Sequence, residues 1–322
     1  MVKTVRIHEN GGPEVLRYED VTLSEPKPGQ VCVRHRAIGL NFIDVYYRKG
    51  LYKATLPHGL GMEAAGVVEA VGPDVKDLAA GDRVAYAMVL GAASDAANVP
   101  AAQLVKLPAS ISDETAAAMM LKGMTAEYLL HRTYAVKRGD AILFYAAAGG
   151  VGAIACQWAN ALGATVIGVV GAENKVAEAL AQGCAHVLVM GKDDIAARVK
   201  EITGGAGVSV AYDSVGRDTF QTSLDSLKRR GLLASFGSSS GPVTGISMDM
   251  LNKGGFYVTR PGLTHYIGTR PELEASAKAL FDVVSAGTVK IEIRRRYALN
   301  DIAQAHRDLE SRKTTGASVL IP

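Results

Sequence analysis

Short apolar runs separated by polar turn residues fill roughly the first 120 residues, which is the spacing of a mainly β domain. Residues 2–7 alternate between apolar and polar positions, and residues 31–36 continue a run that follows a proline- and glycine-containing turn at 26–30. Residues 66–72 form another such run, which a glycine closes. A turn at 80–82 leads into a further strand. We therefore predict a domain of short strands for this part of the chain.

The pattern changes at about Leu121, where apolar strands begin to alternate with helical segments. Helices are predicted at 193–203 and at 217–227, the second with Phe220, Leu224 and Leu227 on one face. Alternation of this kind predicts a doubly wound parallel sheet with helices on both faces. The strands predicted for that sheet are 141–145, 164–170, 186–190, 208–213 and 232–236.

The alternating pattern ends beyond about His265. Asn300 is predicted to cap a helix that carries Ile302, Ala305, His306 and Leu309 on one side. A final strand is predicted at 318–321, and we expect it to return to the first domain, which makes that domain discontinuous.

Composition and charge narrow the class of protein. The 322 residues are 48% hydrophobic and 21% charged with a net charge of +3, which fits two globular domains. The basic run at 294–296 is too short for a nucleic-acid footprint, and the apolar run at 164–170 is too short to span a membrane. Three scattered cysteines indicate neither a disulfide framework nor a cysteine zinc site. We expect a soluble cytoplasmic protein without a nucleic-acid partner.

The most informative segment is the glycine-rich turn at 146–152 between a predicted strand and a predicted helix. Gly149, Gly150, Val151 and Gly152 open that helix, and a second strand follows it. Small residues let the backbone approach a pyrophosphate, and the amides at the helix N-terminus stabilise the negative charge of the phosphates. The strand–turn–helix–strand context predicts a dinucleotide-binding site rather than a plain tight turn.

The residues at the end of the second strand indicate which dinucleotide binds. NAD sites usually carry an acid there, and this chain has Gly171. Lys175 is within one turn and can pair with a 2′-phosphate, so the pattern favours NADPH. The alternative is that Lys175 is a solvated helix residue and Glu173 is the acid, displaced by two positions.

At this point the sequence resembles the zinc-independent quinone oxidoreductases, the zeta-crystallin-like branch of the medium-chain dehydrogenase/reductase superfamily. The resemblance implies a GroES-like catalytic domain (1–121 and 265–322), a Rossmann domain (122–264) and a cleft between them for the cofactor. It implies reduction of a quinone by NADPH through direct hydride transfer. The matching segments are residues 11–16, 39–44, 59–66, 146–152, 212–216 and 235–241.

Two positions separate the chain from the zinc-dependent members of the superfamily. Those enzymes have a cysteine where this chain has Asn41 and a histidine where it has Met62. An amide and a thioether are poor zinc ligands, so we expect no catalytic zinc. A simple ketone needs a Lewis acid to hold the developing alkoxide, whereas a quinone accepts hydride as a delocalised phenolate-like anion.

The resemblance also implies roles for individual residues. Asn41, Asp44 and Tyr46 line the nicotinamide end of the site, and Asn41 or Tyr46 can donate a hydrogen bond to the cofactor or quinone. The implied catalytic set is Asn41, Tyr46, Tyr52 and Arg260. The implied cofactor set also includes Lys122, Thr125, Tyr128, Gly149, Gly150, Val151, Gly152, Gly171, Lys175, Val215, Phe236, Gly237, Ser238, Ser239 and Arg312.

Several of these assignments have simpler alternatives. Tyr46 can be a half-buried core aromatic, Tyr52 an ordinary loop tyrosine, and Arg260 and Arg312 surface arginines. Related bacterial enzymes have a tyrosine near the 2′-phosphate where this chain has Met190, and Lys192 is the candidate residue to compensate for that loss.

Two other functions are compatible with the sequence, and the resemblance also implies a quaternary structure. The same hydride geometry suits an activated C=C bond, and zeta-crystallin-like chains can bind RNA or serve a structural role. The resemblance further implies a homodimer joined through the Rossmann domains, with edge strands that pair across a twofold axis and the predicted strand region 245–258 as the candidate contact.

Overall fold

The structure is a computed structural model that describes residues 1–311 and 314–322. Its chain divides into two compact units, each of which is described by itself. The first unit comprises Met1–Met124, Ile267–Ser285 and Ile291–Pro322, and the second comprises Thr125–Tyr266 and Ala286–Lys290.

The strands of the described residues follow the chain in this order: β1 Val2–Ile7, β2 Arg17–Val21, β3 Gln30–Gly39, β4 His58–Gly59, β5 Glu63–Val71, β6 Arg83–Ala87, β7 Ala96–Pro100, β8 Val105–Lys106, β9 Ala141–Tyr145, β10 Thr165–Val170, β11 His186–Val189, β12 Val208–Asp213, β13 Leu227–Ser235, β14 Tyr257–Thr259, β15 Ile293–Ala298 and β16 Ala317–Ile321. The α-helices are α1 Phe42–Arg48, α2 Asp113–Tyr128, α3 Gly150–Ala161, α4 Val176–Ala181, α5 Ile195–Ile202, α6 Phe220–Asp225, α7 Met248–Asn252, α8 Arg270–Ser285 and α9 Ile302–Glu310.

The first unit is built on two sheets of mostly short strands, and short strands are what the sequence predicted for it. A small sheet has the order β2-β1-β4, and a larger one has the order β15-β16-β3-β5-β6-β8, with β7 also paired to β3. The last strand, β16, pairs antiparallel with β3 and parallel with β15, so the C-terminal segment returns to this unit as expected. Its core is aliphatic, with Ile38, Val84, Leu104 and Ile302 all fully or almost fully buried.

The second unit contains one parallel sheet with the strand order β11-β10-β9-β12-β13-β14. The order of the chain reverses between β9 and β12, and ligands of doubly wound sheets bind at the carboxyl ends of the strands beside such a switch point. The predicted doubly wound parallel sheet is therefore confirmed. Its strands are buried on both faces, which explains their continuous apolar composition.

Three local predictions were wrong. The helix predicted at 217–227 is limited to α6, because Leu227 begins β13 and pairs with Val208. Asp301, not Asn300, occupies the N-cap of α9, because a 3-10 turn at Leu299–Asp301 precedes the helix. The region 245–258 contains a short helix, α7, and only its end joins the sheet as β14.

Two of the three cysteines, Cys156 and Cys184, lie in contact although they are far apart in the sequence. All three are free and buried. The thiols of Cys156 and Cys184 form a hydrogen bond, and this contact together with burial raises the pKa of the Cys156 thiol well above its usual value.

Candidate active site

The glycine-rich segment forms a tight turn between β9 and α3. Gly149 is the N-cap residue of α3, with the extended backbone angles φ −84° and ψ 176°. The Gly149 N–H donates to the carbonyl of Ala146 (2.8 Å), and the Ala147 N–H donates to the carbonyl of Val169 (3.1 Å) on the neighbouring strand. The first amides of α3 have no partner inside the helix and can bind an anion.

Gly152 sets how closely α3 approaches this turn. A Cβ atom at this position would lie 2.3 Å from the carbonyl oxygen of Ala146 and 2.7 Å from that of Ala147. Both neighbours are backbone atoms and cannot move aside cheaply. Only glycine therefore lets the N-terminus of α3 pack this closely against the turn.

A second loop at the carboxyl edge follows β12 and is held by Asp213. Its Oδ1 accepts the N–H groups of Val215 (2.7 Å) and Gly216 (3.0 Å). Its Oδ2 accepts the hydroxyls of Thr219 (2.7 Å) and Ser223 (2.8 Å). This buried carboxylate fixes the backbone at Val215, one of the implied cofactor residues. The sequence analysis quoted residues 212–216 but gave Asp213 no role.

A third loop, residues 236–239, follows β13 and lies against the second. Gly237 must be glycine there, because a Cβ would lie 2.3 Å from the carbonyl oxygen of Ser214. Arg260 donates to the carbonyl of Ser235 (3.0 Å) and to the hydroxyl of Ser238 (3.4 Å). Arg260 is exposed, and its guanidinium braces the serine loop through these two hydrogen bonds.

The end of β10 is open around Gly171. A Cβ atom at Gly171 would meet no atom within 4 Å. Lys175 lies in the 3-10 turn Glu173–Lys175 and is half-buried, and desolvation lowers the pKa of its ammonium from the usual value. Lys192 pairs with Glu173 on the surface, so the residue considered as compensation for Met190 has a carboxylate partner of its own.

Met190 lines a cavity of about 220 Å³ at the same edge of the sheet. The partly buried Met190 side chain also packs against the core of this unit. The remaining lining residues include Tyr145, Ile195, Thr219 and Thr222. Arg312 lies outside the described residues.

Thr125 and Tyr128 are both buried in the part of α2 that belongs to the second unit. The Tyr128 ring is stacked on the ring of Tyr266, with 4.3 Å between centroids and 9° between planes. Tyr128 thus has an aromatic packing partner within its own unit, which is the environment of a core tyrosine.

In the first unit, Asn41 and Asp44 lie at the start of α1. Asn41 is the N-cap residue, and its N–H donates to Oδ2 of Asp44 (2.9 Å). The Asp44 Oδ1 atom is buried without a hydrogen-bond partner among the described residues. Burial raises the pKa of Asp44 to about 7, against the opposing effects of the Asn41 N–H and the Lys122 charge.

Glu63 links Asn41 to Lys122. The Glu63 side chain is fully buried, and its Oε1 accepts both Lys122 Nζ (2.6 Å) and Asn41 Nδ2 (2.8 Å). Its Oε2 accepts the N–H of Leu121 (2.6 Å). Asn41 Nδ2 also faces the carbonyl oxygen of Gly39 at 3.4 Å. Because both neighbours are acceptors, the side-chain NH₂ group of Asn41 is used inside the chain.

Glu63 was missed in the sequence analysis, although it lies within the quoted segment 59–66. The signal that could have found it is a charged residue in a run of small and apolar residues. Such a residue is rarely buried unless it is paired.

Aromatic side chains cluster at α1 and the loop after it. Tyr46 makes edge-on contacts with Phe42 (5.4 Å between centroids) and Tyr52 (5.3 Å). Tyr52 also contacts Tyr47 (5.7 Å). Tyr46, Tyr47 and Tyr52 are all only half-buried, so they form an aromatic surface rather than an enclosed core.

These residues do not suit a zinc ion. The amide N–H group of Asn41 and both oxygens of Glu63 are already used, and the Lys122 ammonium would repel a dication. Met62 is buried and offers only a thioether. Within residues 1–311 and 314–322, no cluster of three or more His, Cys, Asp or Glu side chains is arranged to hold a metal ion.

Along the described part of the chain, no helix is both long enough and apolar enough to span a bilayer.

Comparison with known proteins places this geometry in a family context. The sequence profile for the alcohol dehydrogenase GroES-like domain matches residues 27–140, and that for zinc-binding dehydrogenase matches residues 150–280. Quinone oxidoreductase 1 of Escherichia coli (strain K12) is 51% identical to the chain, with full coverage of both sequences. A crystal structure of E. coli quinone oxidoreductase complexed with NADPH matches with a TM-score of 0.98 and 51% identity, covering 99% of this chain and 100% of that one. A 2-haloacrylate reductase from Burkholderia sp is 44% identical over 100% of this chain and 99% of its own.

Proposed function

The chain belongs to the quinone oxidoreductase family of medium-chain dehydrogenases/reductases, and we propose that it reduces quinones with NADPH by direct hydride transfer without zinc. The observation that carries this proposal is the combination of an intact phosphate cradle in one unit with a metal-incompatible polar cluster in the other. Relatives that share the full length of the chain support the same reaction and cofactor.

The nicotinamide dinucleotide supplies the hydride, and the residues of the chain bind and orient the two reactants. The pyrophosphate is proposed to lie against Gly149, Gly150, Val151 and Gly152. Val215 and the loop of Phe236, Gly237, Ser238 and Ser239 are proposed to hold the nicotinamide ribose and amide, braced by Asp213 and Arg260. We propose that the cofactor is also contacted by Lys122, Thr125 and Tyr128.

The acceptor is proposed to stack on the half-buried aromatic surface formed by Tyr46 and Tyr52. Asn41 and the unpartnered Oδ1 of Asp44 are proposed to lie at the nicotinamide end of the cofactor. Asp44 has a pKa near neutrality, so its carboxyl can donate or accept a hydrogen bond there.

The preference for NADPH over NADH is proposed to come from Gly171 and Lys175, with Arg312 as a further phosphate partner. The open space at Gly171 leaves room for a phosphate and places no carboxylate beside it. The half-buried Lys175 ammonium is only partly hydrated, which strengthens its attraction for an anion.

The reduction of activated C=C bonds is a second candidate. It is favoured by the 44% identity to a 2-haloacrylate reductase over nearly the full length of both chains. Hydride addition to such a substrate also leaves an oxygen-centred anion, so the same site would serve it. A non-catalytic role in RNA binding is disfavoured by the net charge of only +3.

A panel of acceptors tests the assignment. Purified protein is mixed with NADPH or NADH and 9,10-phenanthrenequinone, 2-cyclohexen-1-one or 2-chloroacrylate, with and without a chelator, and NAD(P)H oxidation is followed by absorbance. Fast, chelator-insensitive oxidation of NADPH with the quinone is the expected result. Turnover of the C=C substrates alone would replace the proposal with the second candidate.

We also propose a homodimer in which the exposed edge strand β14 pairs with its copy. Strand β14 ends the parallel sheet, and Tyr257, Met248 and Ile246 expose much of their apolar surface beside it. Sedimentation that finds monomers alone at micromolar concentration would contradict this.

The domain roles proposed are catalytic for 1–121 with 265–322 and dinucleotide-binding for 122–264. The proposed location is the cytoplasm, where three free cysteines would stay reduced.

A further inference from the structure

The ion pair between Glu63 and Lys122 is unusual because both charges are buried. The Glu63 side chain is 0% exposed and that of Lys122 is 7% exposed. Removing two charges from water is expensive, and a buried ion pair is often no more stabilising than apolar residues of similar volume. The pair therefore calls for a reason other than the stability of the fold.

The carboxylate of Glu63 is fully used, whereas the ammonium of Lys122 is not. Glu63 accepts three hydrogen bonds, from Lys122, Asn41 and Leu121. The only hydrogen bond of Lys122 Nζ in the described part of the structure is the one to Glu63. An ammonium has three N–H groups, so two donors of a nearly buried cation are available to a ligand.

The position of the ammonium is fixed from several sides. Lys122 Nζ and Asn41 Nδ2 share one oxygen of Glu63, so the cation lies beside the residue that opens α1. Gly39 leaves room for this arrangement, because a Cβ there would lie 2.2 Å from Glu63 Oε1.

From this geometry we propose that the Lys122 ammonium, positioned by Glu63, is the fixed cation that stabilises the oxyanion of the reduced acceptor. This inference rests on the proposed function. Hydride addition brings two electrons and one hydrogen to the acceptor, and the electron pair displaced from the carbonyl π bond becomes negative charge on its oxygen. Lys122 donates a hydrogen bond to that oxygen, and a proton from water then completes the hydroquinone. The ammonium takes over the charge stabilisation that a metal ion supplies elsewhere.

Glu63 is a positioning residue in this scheme. Its three hydrogen bonds hold the carboxylate in place, and its oxygen Oε1, 2.6 Å from Lys122 Nζ, fixes the position of the ammonium beside the acceptor. The same cation would stabilise the enolate formed from an activated C=C bond. The substrate class is therefore defined by an acceptor whose reduction places negative charge on oxygen.

Three variants test the role of the ammonium. Lys122→Met removes the charge, Lys122→Arg keeps it, and Glu63→Gln/Lys122→Met removes both charges without leaving a buried carboxylate unpaired. Loss of one oxyanion donor typically lowers kcat by about 10²- to 10³-fold. We expect that loss for Lys122→Met and for the double variant, with partial recovery in Lys122→Arg. Circular dichroism of the double variant should stay close to wild type, and kcat measured at saturating NADPH separates the loss in turnover from any effect of Lys122 on NADPH binding.

Two further readouts separate charge stabilisation from a structural role. With a series of substituted 1,4-benzoquinones, the loss in kcat should grow as the hydroquinone product becomes a weaker acid. Independently of turnover, the wild-type protein loaded with NADP⁺ should bind 4-nitrophenol as its coloured phenolate, and the two Met-containing variants should not. Equal losses for all quinones, or unchanged phenolate binding in the variants, would overturn the proposal. Phenolate binding by a protein that reduces no quinone would instead refute the proposed function and leave the cation site supported.

Discussion

Replacing Gly171 with aspartate should convert the protein from NADPH to NADH preference. Gly171 follows directly after β10, at the position where NAD-binding folds carry an acid for the ribose 2′-hydroxyl. An added Cβ there meets no atom within 4 Å, and the backbone of Gly171 is not in the left-handed region. The aspartate side chain is therefore accommodated without strain, and its effect is that of its charge.

The magnitude follows from Coulomb repulsion between the new carboxylate and the 2′-phosphate. Two unit charges about 4 Å apart repel by roughly 1 kcal/mol in water and roughly 4 kcal/mol near a protein surface. An intermediate value of about 2 kcal/mol lowers kcat/KM for NADPH by about 30-fold. The hydrogen bond to the ribose hydroxyl should at the same time raise kcat/KM for NADH by a few fold.

The assay compares kcat/KM for both cofactors at a saturating quinone concentration. Gly171→Asn is the matched control, because it has nearly the same volume and no charge. We expect the asparagine variant to keep at least a third of the wild-type activity with NADPH. Salt should weaken the aspartate effect by screening. Equal losses for the two variants would refute the electrostatic argument, and an unchanged preference in Gly171→Asp would place the 2′-phosphate elsewhere.

Three further predictions follow from single residues. Gly152→Ala should weaken NADPH binding at least about tenfold and lower Tm, although alanine has the higher helix propensity, because the added Cβ would lie 2.3 Å from the carbonyl oxygen of Ala146. Fluorescence titration measures the binding and thermal melting measures Tm. A raised Tm would contradict the prediction. Tyr52→Ala should raise the quinone KM by about 2- to 10-fold while the NADPH Kd is unchanged, because one aromatic contact is lost. Steady-state kinetics measure the quinone KM, with Tyr52→Phe as the control that keeps the ring. Equal quinone KM values for the two variants would refute the prediction. Burial raises the pKa of Asp44 from 3.8 to about 7 in the folded protein, so the folded state binds more protons than the unfolded state and stability falls as the pH rises between these values. In urea unfolding at several pH values, Asp44→Asn should lose less stability over this range than wild type, by on the order of 4 kcal/mol. Parallel stability profiles for the two proteins would refute the assignment.

The glycine loop shows why part of the site was readable from the sequence. Residues 141–152 are a strand, a tight turn and a helix start that are adjacent in the chain, and the glycine spacing reflects local backbone geometry. The structure adds the reason for Gly152, the carbonyl oxygens of Ala146 and Ala147. The parallel sheet was readable for a similar reason, because strands buried on both faces are continuously apolar.

The role of Asn41 shows where sequence reasoning stopped. Its amide was expected to donate to a ligand, but the structure gives that N–H group to Glu63 and Gly39. The predicted bounds of α6 and α9 were wrong for a similar reason. Strand pairing at Leu227 decides where α6 ends, and a 3-10 turn before Ile302 decides where α9 begins. None of these contacts leaves a periodic signal in the chain.

The sequence by itself determined the two domain types, the parallel sheet, the glycine-rich turn before α3 and the family, because these depend on periodicity and on neighbours close in the chain. Only the tertiary structure decided that Glu63, Lys122 and Asn41 share one buried carboxylate, although 59 positions separate Glu63 from Lys122. It likewise decided that Asp213 fixes the loop at Val215 and that Arg260 braces the serine loop. Hydrogen bonds between distant residues depend on how strands and helices pack, and the charge of a buried group is set by those partners rather than by its neighbours in the chain.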